Sequence, residues 1–209
     1  MHIQFLGLSS FKFTTKDAIV ITDPTGKESG LTPPRGNADM VILAESNNPL
    51  YSSAGSLSGT PFTITSPGEY DKSGVTVAGI PLKQNGSYVT VYLVESEDIK
   101  ILNLAHIKEF TISEDDLESL GEIDVLILPV GGHSVLDANE AAKVVNQVEP
   151  KIVIPSHYAN EGITLELDGV EKFVKSMGGK AETLDKLILK KKDIATSEET
   201  KTIILTSER

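Results

Sequence analysis

The chain contains no cysteine, and no run of about 18 apolar residues that could cross a membrane. Without cysteine there are no disulfide bonds and no thiolate metal ligands, so any metal must be held by His, Asp, Glu or weaker oxygen donors. The first residues show neither the basic patch nor the cleavage site of a signal peptide. Together these absences predict a cytoplasmic protein.

Positive charge is also scarce, because 19 Lys and Arg face 30 Asp and Glu and the formal net charge is −11. Such a chain repels phosphate backbones, which argues against nucleic acids and anionic membranes as partners. The single basic run, Lys190–Lys192, is interpreted as a solvated strand end. A small molecule, a protein partner or a second copy of the chain remain open as partners.

The first hundred residues have the short apolar, β-branched and aromatic runs that are typical of strands. We predict strands over residues 2–6, 11–15, 18–22, 40–44, 62–65, 75–80 and 88–95. The sequences Pro33–Asn37 and Ser66–Pro67–Gly68 predict turns between them. Asn47–Gly59 is rich in Ser, Asn and Gly and is predicted to be a loop.

After Lys100 strands alternate with helices. Strands are predicted over residues 101–105, 123–129, 152–155, 187–191 and 202–206. Ser113 and Asp137 are predicted helix caps, the second within a capping box with Glu140, and a third helix begins near Asp168. The pattern predicts one domain over residues 1–209, of class α/β (α+β), with two packed sheets and helices outside.

Polar residues follow five of the predicted apolar strands, where ligands gather in sheets that alternate with helices. They are Asp23, Glu45, His106, His133 and His157. Each also has an ordinary interpretation: a histidine capping a carbonyl, an Asp before proline forming a turn, a solvated glutamate. The sequence has no nucleophile elbow, no phosphate-binding glycine loop and no H-E-x-x-H motif. These five residues can form a functional site only if the fold brings their side chains together.

Several segments resemble the metallo-β-lactamase fold, in a small bacterial branch similar to the ascorbate-phosphate lactonases. The segments are Ile21–Pro24, Ser66–Tyr70 before Gly74–Val75, Ile127–Gly132 leading to Asp137–Ala138, and Pro150–Tyr158. The resemblance implies a four-layer αββα sandwich and, in an intact member, a hydrolytic site with two zinc ions.

The family's H-x-H-x-D-H signature is not preserved after the strand at Val41–Ala44. The four ligand positions of that signature correspond to Glu45, Asn47, Pro49 and Leu50. Proline and leucine offer no donor atom, asparagine is a poor zinc ligand, and only the glutamate could still bind a metal.

The remaining ligand positions implied by the resemblance also differ. The next histidine is expected near Pro81–Gln84, where Gln84 stands, and the bridging aspartate is expected where the chain has His106. Of the usual set only the terminal ligand, His157, is present. A hydrolytic zinc needs about three protein ligands and a water, so two-zinc hydrolysis is not expected here.

Three functions remain open. The first is a pseudoenzyme that binds a ligand or a protein through the old cleft, with no cofactor and with Asp23, Asn47, Asn103 and His133 as candidate contacts. The second is a remodelled hydrolase with a single zinc or manganese ion held by Glu45, His106 and His157. The third is metal-free catalysis by a histidine base that Asp23 orients. For the first, we expect the interface near Asn47–Gly59.

Overall fold

The structure of the protein is a computed structural model that describes residues 1–84, 86–194 and 199–207. Its first sheet has six strands: β1 (His2–Gly7), β2 (Ser10–Thr14), β3 (Ile19–Thr22), β4 (Met40–Ile42), β5 (Phe62–Ile64) and β13 (Leu187–Ile188). Their order across the sheet is β13-β1-β2-β3-β4-β5. β1 to β3 pair in antiparallel fashion, whereas β3, β4 and β5 run parallel.

The second sheet has eight strands: β6 (Gly68–Lys72), β7 (Val75–Gln84), β8 (Ser87–Ser96), β9 (Ile99–Asn103), β10 (Val125–Pro129), β11 (Ile152–Ser156), β12 (Glu182–Leu184) and β14 (Lys201–Leu205). Their order across the sheet is β12-β14-β11-β10-β9-β8-β7-β6. The strands from β12 to β9 are parallel, and an antiparallel meander of β8, β7 and β6 continues from them.

Three helices connect strands of the second sheet: α1 (Glu114–Leu120), α2 (Ala138–Val148) and α3 (Val170–Ser176). A fourth, α4 (Lys191–Ile194), leads from β13 of the first sheet to β14 of the second. The connections of the first sheet carry single-turn 3₁₀ helices instead, at Lys27–Ser29 and Ala54–Ser56. This arrangement of two sheets with helices confirms the predicted fold class. In the described part of the chain, no helix is both long and apolar enough to cross a membrane.

The main core lies between the sheets and follows from the two-residue period of the strands. Ile3 and Phe5 of β1 and Phe11 and Phe13 of β2 point inward and are at most 1% exposed, while the residues between them are half-buried or exposed. Strand β10 is buried along its whole length because α2 packs on its other side. Most of the buried apolar side chains therefore form one continuous cluster.

Helix α2 begins at the capping box that the sequence predicts. Asp137 Oδ1 accepts hydrogen bonds from the backbone N–H groups of Asn139 and Glu140, and Glu140 Oε2 accepts one from the Asp137 N–H. We expect Asp137→Ala to lower the free energy of unfolding by about 1 kcal/mol, since two helix-end donors lose their acceptor. Urea unfolding measures the change, and Gln147→Ala on the exposed face of α2 is the control. Equal stability of Asp137→Ala and the unchanged protein would show that water replaces the cap without cost.

One expectation about local structure is incomplete and another is wrong. Ser66 and Pro67 form a bend as predicted, but Gly68 already starts β6, an exposed edge strand that pairs with β7 through the turn at Ser73–Gly74. The Lys190–Lys192 run is not a solvated strand end. Lys191 begins α4, and its Nζ bonds both carboxylate oxygens of the buried Asp124 at 2.9 and 2.8 Å. Both features depend on a distant partner that local patterns do not reveal.

Candidate functional site

Four of the five strand-end residues predicted from the sequence converge at one edge of the sandwich. Asp23 directly follows β3 and His157 directly follows β11, while Glu45 and His106 come three residues after β4 and β9. The backbone of Asp23, Ala105 and His157 is left-handed, with φ of 40°, 53° and 51°. Left-handed backbone is uncommon for residues other than glycine, so the surroundings of these strand ends hold them in place.

Asp23 lies on the floor of this cluster and is 1% exposed. Its Oδ1 accepts a hydrogen bond from the Ala44 N–H at 2.8 Å, which ties the end of β3 to the segment after β4. Burial raises the pKa of Asp23 from 3.8 to about 6, although attraction to His106 and the Ala44 hydrogen bond act in the opposite direction. The carboxyl group therefore changes its charge just below neutral pH.

Glu45 stands at the rim and faces His106. Glu45 Oε2 is 3.5 Å from His106 Nε2 and accepts a hydrogen bond from Asn48 Nδ2 at 2.8 Å. These two contacts lower the pKa of Glu45 to about 2, the contact with His106 contributing most. Because about half of the Glu45 side chain is exposed, water screens this interaction and the pair adds little to stability.

Tyr51 occupies the centre of the cluster, where its ring lies between the two histidines. The Tyr51 ring stacks on His106 with 4.2 Å between centroids, and the Tyr51 hydroxyl is 3.2 Å from His157 Nε2. Tyr51 is 4% exposed, and burial followed by repulsion from Asp23 and Glu45 raises its pKa. The phenol is therefore uncharged, and it occupies Nε2 of His157 whichever nitrogen of that ring carries the proton.

His157 is fully buried and uncharged. Burial, with a smaller effect from repulsion by His106, lowers its pKa from 6.5 to about 3. Its backbone N–H donates to the Leu8 carbonyl at 3.0 Å, which joins the end of β11 to the β1–β2 turn. The contact between Gly131 and His157 is tight, because a Cβ atom on Gly131 would lie 2.2 Å from the His157 carbonyl oxygen.

Several buried polar atoms around the cluster have no hydrogen-bond partner among the described residues. They are His106 Nδ1 and Nε2, His157 Nδ1, Ser9 Oγ, Ser10 Oγ, Thr25 Oγ1 and Ser156 Oγ. Most buried polar groups in proteins are hydrogen-bonded, so a concentration of unpaired ones distinguishes this region from the rest of the interior. The same residues 1–84, 86–194 and 199–207 contain no group of three or more His, Asp or Glu arranged to hold a metal ion.

The other predicted contact residues fall into two groups. Asn103 is buried, and its Oδ1 accepts the Ala105 N–H at 3.0 Å, so it shapes the turn that presents His106. Gln84 holds the segment that follows this turn, because its Oε1 accepts hydrogen bonds from the backbone N–H groups of Lys108 and Glu109, each at 2.9 Å. Asn47 and His133 are exposed and stay outside the buried cluster.

Tyr51 is the site residue that the sequence analysis missed. It belongs to the Asn47–Gly59 segment, whose polar composition predicts only a surface loop. The segment folds back because Gly26 N donates to Leu50 O and Ser53 N donates to Pro24 O, each at 2.9 Å. A tyrosine directly after Pro49 and Leu50, where the resemblance implies metal ligands, was the available signal.

Comparisons with known proteins agree with the fold. A UPF0173 metal-dependent hydrolase of Thermococcus onnurineus is 28% identical over 218 aligned positions, covering 88% of this chain and 95% of that protein. A second such hydrolase, from Pyrococcus horikoshii, is 37% identical over 93 residues, 44% of this chain but only 40% of that protein. Both relatives are archaeal, so the resemblance to a bacterial branch is not confirmed.

Solved structures extend the similarity to the whole chain. A metallo-β-lactamase superfamily protein from Thermotoga maritima superposes with a TM-score of 0.83 at 26% identity over 99% of both chains. The metallo hydrolase Igni18 of Ignicoccus hospitalis has a TM-score of 0.65 at 15% identity, which shows the fold alone. The family model described as the beta-lactamase superfamily domain matches residues 2–157, about three quarters of the sequence. This chain therefore belongs to the metallo-β-lactamase superfamily, among relatives that are named metal-dependent hydrolases.

Proposed function

We infer that this protein is a binding or regulatory member of its superfamily that does not carry out two-metal hydrolysis. The observation that carries this proposal is the position of Tyr51, whose hydroxyl lies 3.2 Å from His157 Nε2. The terminal metal ligand expected from the family is thus engaged by a side chain of the protein itself. The tyrosine ring fills the space between His157 and His106.

The donor set does not fit a two-zinc centre. Glu45 and His106 face each other, and Asp23 Oδ1 accepts the Ala44 N–H. At two further ligand positions stand Pro49 and Leu50, which have no donor side chain. Because a hydrolytic zinc needs about three protein ligands and an open position, these residues cannot hold two ions and their water. The fold itself needs no metal, since apolar side chains form its core and side chains of the protein cap α1 and α2.

A single-metal site is the second candidate, and one observation favours it. His106 Nδ1 and His157 Nδ1 are buried without a hydrogen-bond partner among the described residues, so each imidazole keeps an unused nitrogen. Together with Glu45 these rings offer the mixed nitrogen and oxygen donors that zinc and manganese accept. For the three to meet around one ion, however, Tyr51 has to leave its place between the rings.

Metal content separates the two candidates. Protein purified after expression with added zinc and manganese is expected to contain less than about 0.1 equivalent of either metal. Tyr51→Ala is expected to bind zinc at least tenfold more tightly than the unchanged protein, on the order of 1.4 kcal/mol, because it frees the rings of His106 and His157. Isothermal titration with zinc chloride measures the difference, and Tyr88→Ala, at a position 67% exposed, is the control.

Two results would overturn the proposal. One is stoichiometric metal in the unchanged protein that is lost in His157→Ala. The other is metal-dependent hydrolysis of a phosphodiester, lactone or β-lactam substrate by the unchanged protein but not by His157→Ala. Equal zinc affinity of Tyr51→Ala and the unchanged protein would show that the tyrosine is not what closes the cleft.

A further inference from the structure

A second feature that could bind a ligand lies on the first sheet, outside the Tyr51 cluster. It is a half-open cavity of about 850 Å³, and its lining shares no residue with that cluster. Small-molecule sites in proteins enclose about 300 to 1,000 Å³, so the cavity has the size of such a site. The lining residues are Leu6, Lys12, Ile19, Ile21, Gly30–Asn37, Glu161, Gly162 and Ser207.

The floor of this cavity is one face of three neighbouring strands. In the register of the sheet Lys12 of β2 pairs with Ile21 of β3, and Ile19 lies two residues before Ile21 on the same face. Leu6 of β1 completes the floor beside them. Lys12 is half-buried among these apolar side chains, so its methylene groups extend the apolar floor while its amino group supplies a charge.

The roof is the segment of residues 30–37, and it is attached on both sides. Ser56 Oγ donates to Pro34 O at 2.7 Å, and Ser58 N donates to Gly36 O at 2.8 Å. On the other side, Thr164 bonds the carbonyl groups of Glu28 and Ser29 just before the roof begins. Consecutive prolines within the segment restrict its backbone further. The cavity is therefore preformed.

Two glycines allow the roof to approach so closely. A Cβ atom on Gly7 would lie 2.5 Å from Leu31 Cδ1, and one on Gly30 would lie 2.1 Å from the Gly162 carbonyl oxygen. Both glycines also have left-handed backbone, with φ of 107° and 85°. The apolar side chain of Leu31 thus rests against the end of β1 and encloses the space above the sheet.

The charge of the lining differs in sign from that of the protein. The chain carries 30 acidic and 19 basic residues, yet the lining contains two cations, Lys12 and Arg35, and one acid, Glu161. Over residues 1–84, 86–194 and 199–207, the side chains of Lys12 and Arg35 form no hydrogen bond or ion pair with the protein. An unpaired cation on an apolar floor favours a ligand that brings both an anion and an apolar body.

We propose that this cavity binds a small amphipathic carboxylate, with the apolar chain against Leu6, Ile21 and Leu31 and the carboxylate at Lys12 and Arg35. The inference rests on the cavity and not on the absence of metal from the Tyr51 cluster. A protein that carried metal there could still bind the carboxylate, and a metal-free protein could fail to bind it. The two proposals therefore fail independently.

Decanoate is the test ligand, and displacement of the fluorescent probe 8-anilino-1-naphthalenesulfonate reports its binding. Decanoate is expected to displace the probe at concentrations at least tenfold below those of decanol, the neutral analogue. Lys12→Met retains the length and apolar character of the stem, and it is expected to weaken decanoate binding about tenfold. Arg35→Gln is a second variant with the same expected direction.

Lys16→Met is the matched control, because Lys16 is exposed and does not line the cavity. It should leave the affinity for decanoate unchanged, and thermal unfolding of each variant shows that the fold is retained. Methyl shifts of Ile21 and Leu31 on addition of decanoate would support the location. No displacement by decanoate, or equal affinity in the unchanged protein, Lys12→Met and Arg35→Gln, would overturn the proposal.

Discussion

His157→Gln is expected to lose much less stability than the unchanged protein when the pH is lowered from neutral to about 4. The folded protein holds the pKa of His157 at about 3, whereas the unfolded chain has the ordinary value of 6.5. Between these values the unfolded state binds more protons, so acid favours unfolding and stability rises with pH. The full shift corresponds to about 5 kcal/mol, because each pKa unit is worth about 1.4 kcal/mol.

Asp23 changes the free energy of unfolding in the opposite direction over part of the same pH range. Burial raises its pKa from 3.8 to about 6, so the folded state binds more protons there and stability falls as the pH rises between these values. This effect is about 3 kcal/mol and partly cancels that of His157. His157→Gln is therefore expected to become less stable from about pH 4 to pH 6, and Asp23→Asn should show a steeper acid loss than the unchanged protein.

The other charged groups at the cluster change this expectation little. Glu45 is about half exposed, and its pKa is lowered from 4.5 to about 2, so any stability it contributes changes with pH only below about 4.5. Tyr51 stays uncharged, because its pKa is raised above the ordinary value of 10. Urea unfolding across the acid range measures the slopes, with His133→Gln at an exposed position as the control. Identical pH profiles for His157→Gln and the control would contradict the burial of an uncharged His157.

Gly131→Ala is expected to lower the free energy of unfolding by about 3 kcal/mol or more. The added Cβ atom would lie 2.2 Å from the His157 carbonyl oxygen and 3.0 Å from Leu167 Cδ2. The His157 carbonyl belongs to the backbone and cannot rotate away from the new methyl group as a side chain could. Its movement is restricted further because the His157 N–H donates a hydrogen bond to the Leu8 carbonyl. The end of β10 and the end of β11 therefore have to separate, which opens the buried cluster.

Gly55→Ala provides a matched control for this substitution. Neither glycine has left-handed backbone, but a Cβ atom on Gly55 meets no other atom within 4 Å. Gly55→Ala should change the free energy of unfolding by less than about 0.5 kcal/mol. Urea unfolding at neutral pH compares the two variants. If Gly131→Ala is as stable as Gly55→Ala, then the contact between Gly131 and His157 does not position the histidine.

The contact of Gly131 shows what the Gly131–Gly132 pair does in the fold. From the sequence, Gly131–Gly132 after an apolar strand could bring backbone close to a ligand. In the structure Gly131 brings β10 close to the backbone of His157 instead. A glycine in the sequence indicates that another group can come close to the backbone, but it does not show which group does so. For Gly131 that group is His157, 26 residues further along the chain.

The strands, the helix caps and the strand-end positions of the site residues could be predicted from local patterns in the sequence. The apolar runs ending at Thr22, Pro129 and Ser156 form strands because alternation and β-branching act over a few neighbouring residues. Ser113 and Asp137 cap α1 and α2 as predicted, since capping needs only residues within one turn. The rule that polar residues gather at the carboxyl ends of strands also predicted Asp23 and His157 as site residues. They follow β3 and β11, which belong to different sheets, so the packing of the two sheets brings them together.

The roles of Tyr51 and Lys191 could not be predicted, because they depend on contacts with residues distant in sequence. Tyr51 meets His157 over 106 residues, and Lys191 meets Asp124 over 67 residues. The first contact requires the Asn47–Gly59 loop to fold back over the end of the first sheet. The second requires the chain after β13 to return to the start of β10. Neither the polar composition of the loop nor the lysine run indicates that these segments fold back against distant parts of the chain.

The sequence by itself determined the superfamily and most of the strands and helices, because these features depend on residue identity and on spacing within one element. It also has Pro49 and Leu50, which offer no donor side chain, where the resemblance implies metal ligands. Only the tertiary structure decided what surrounds His157 and which cations lack a partner. An uncharged tyrosine lies 3.2 Å from His157 Nε2, and a separate cavity is lined by Lys12 and Arg35, which form no ion pair within the described residues. Both arise where segments distant in sequence pack together, because burial and charge pairing are properties of the folded surroundings.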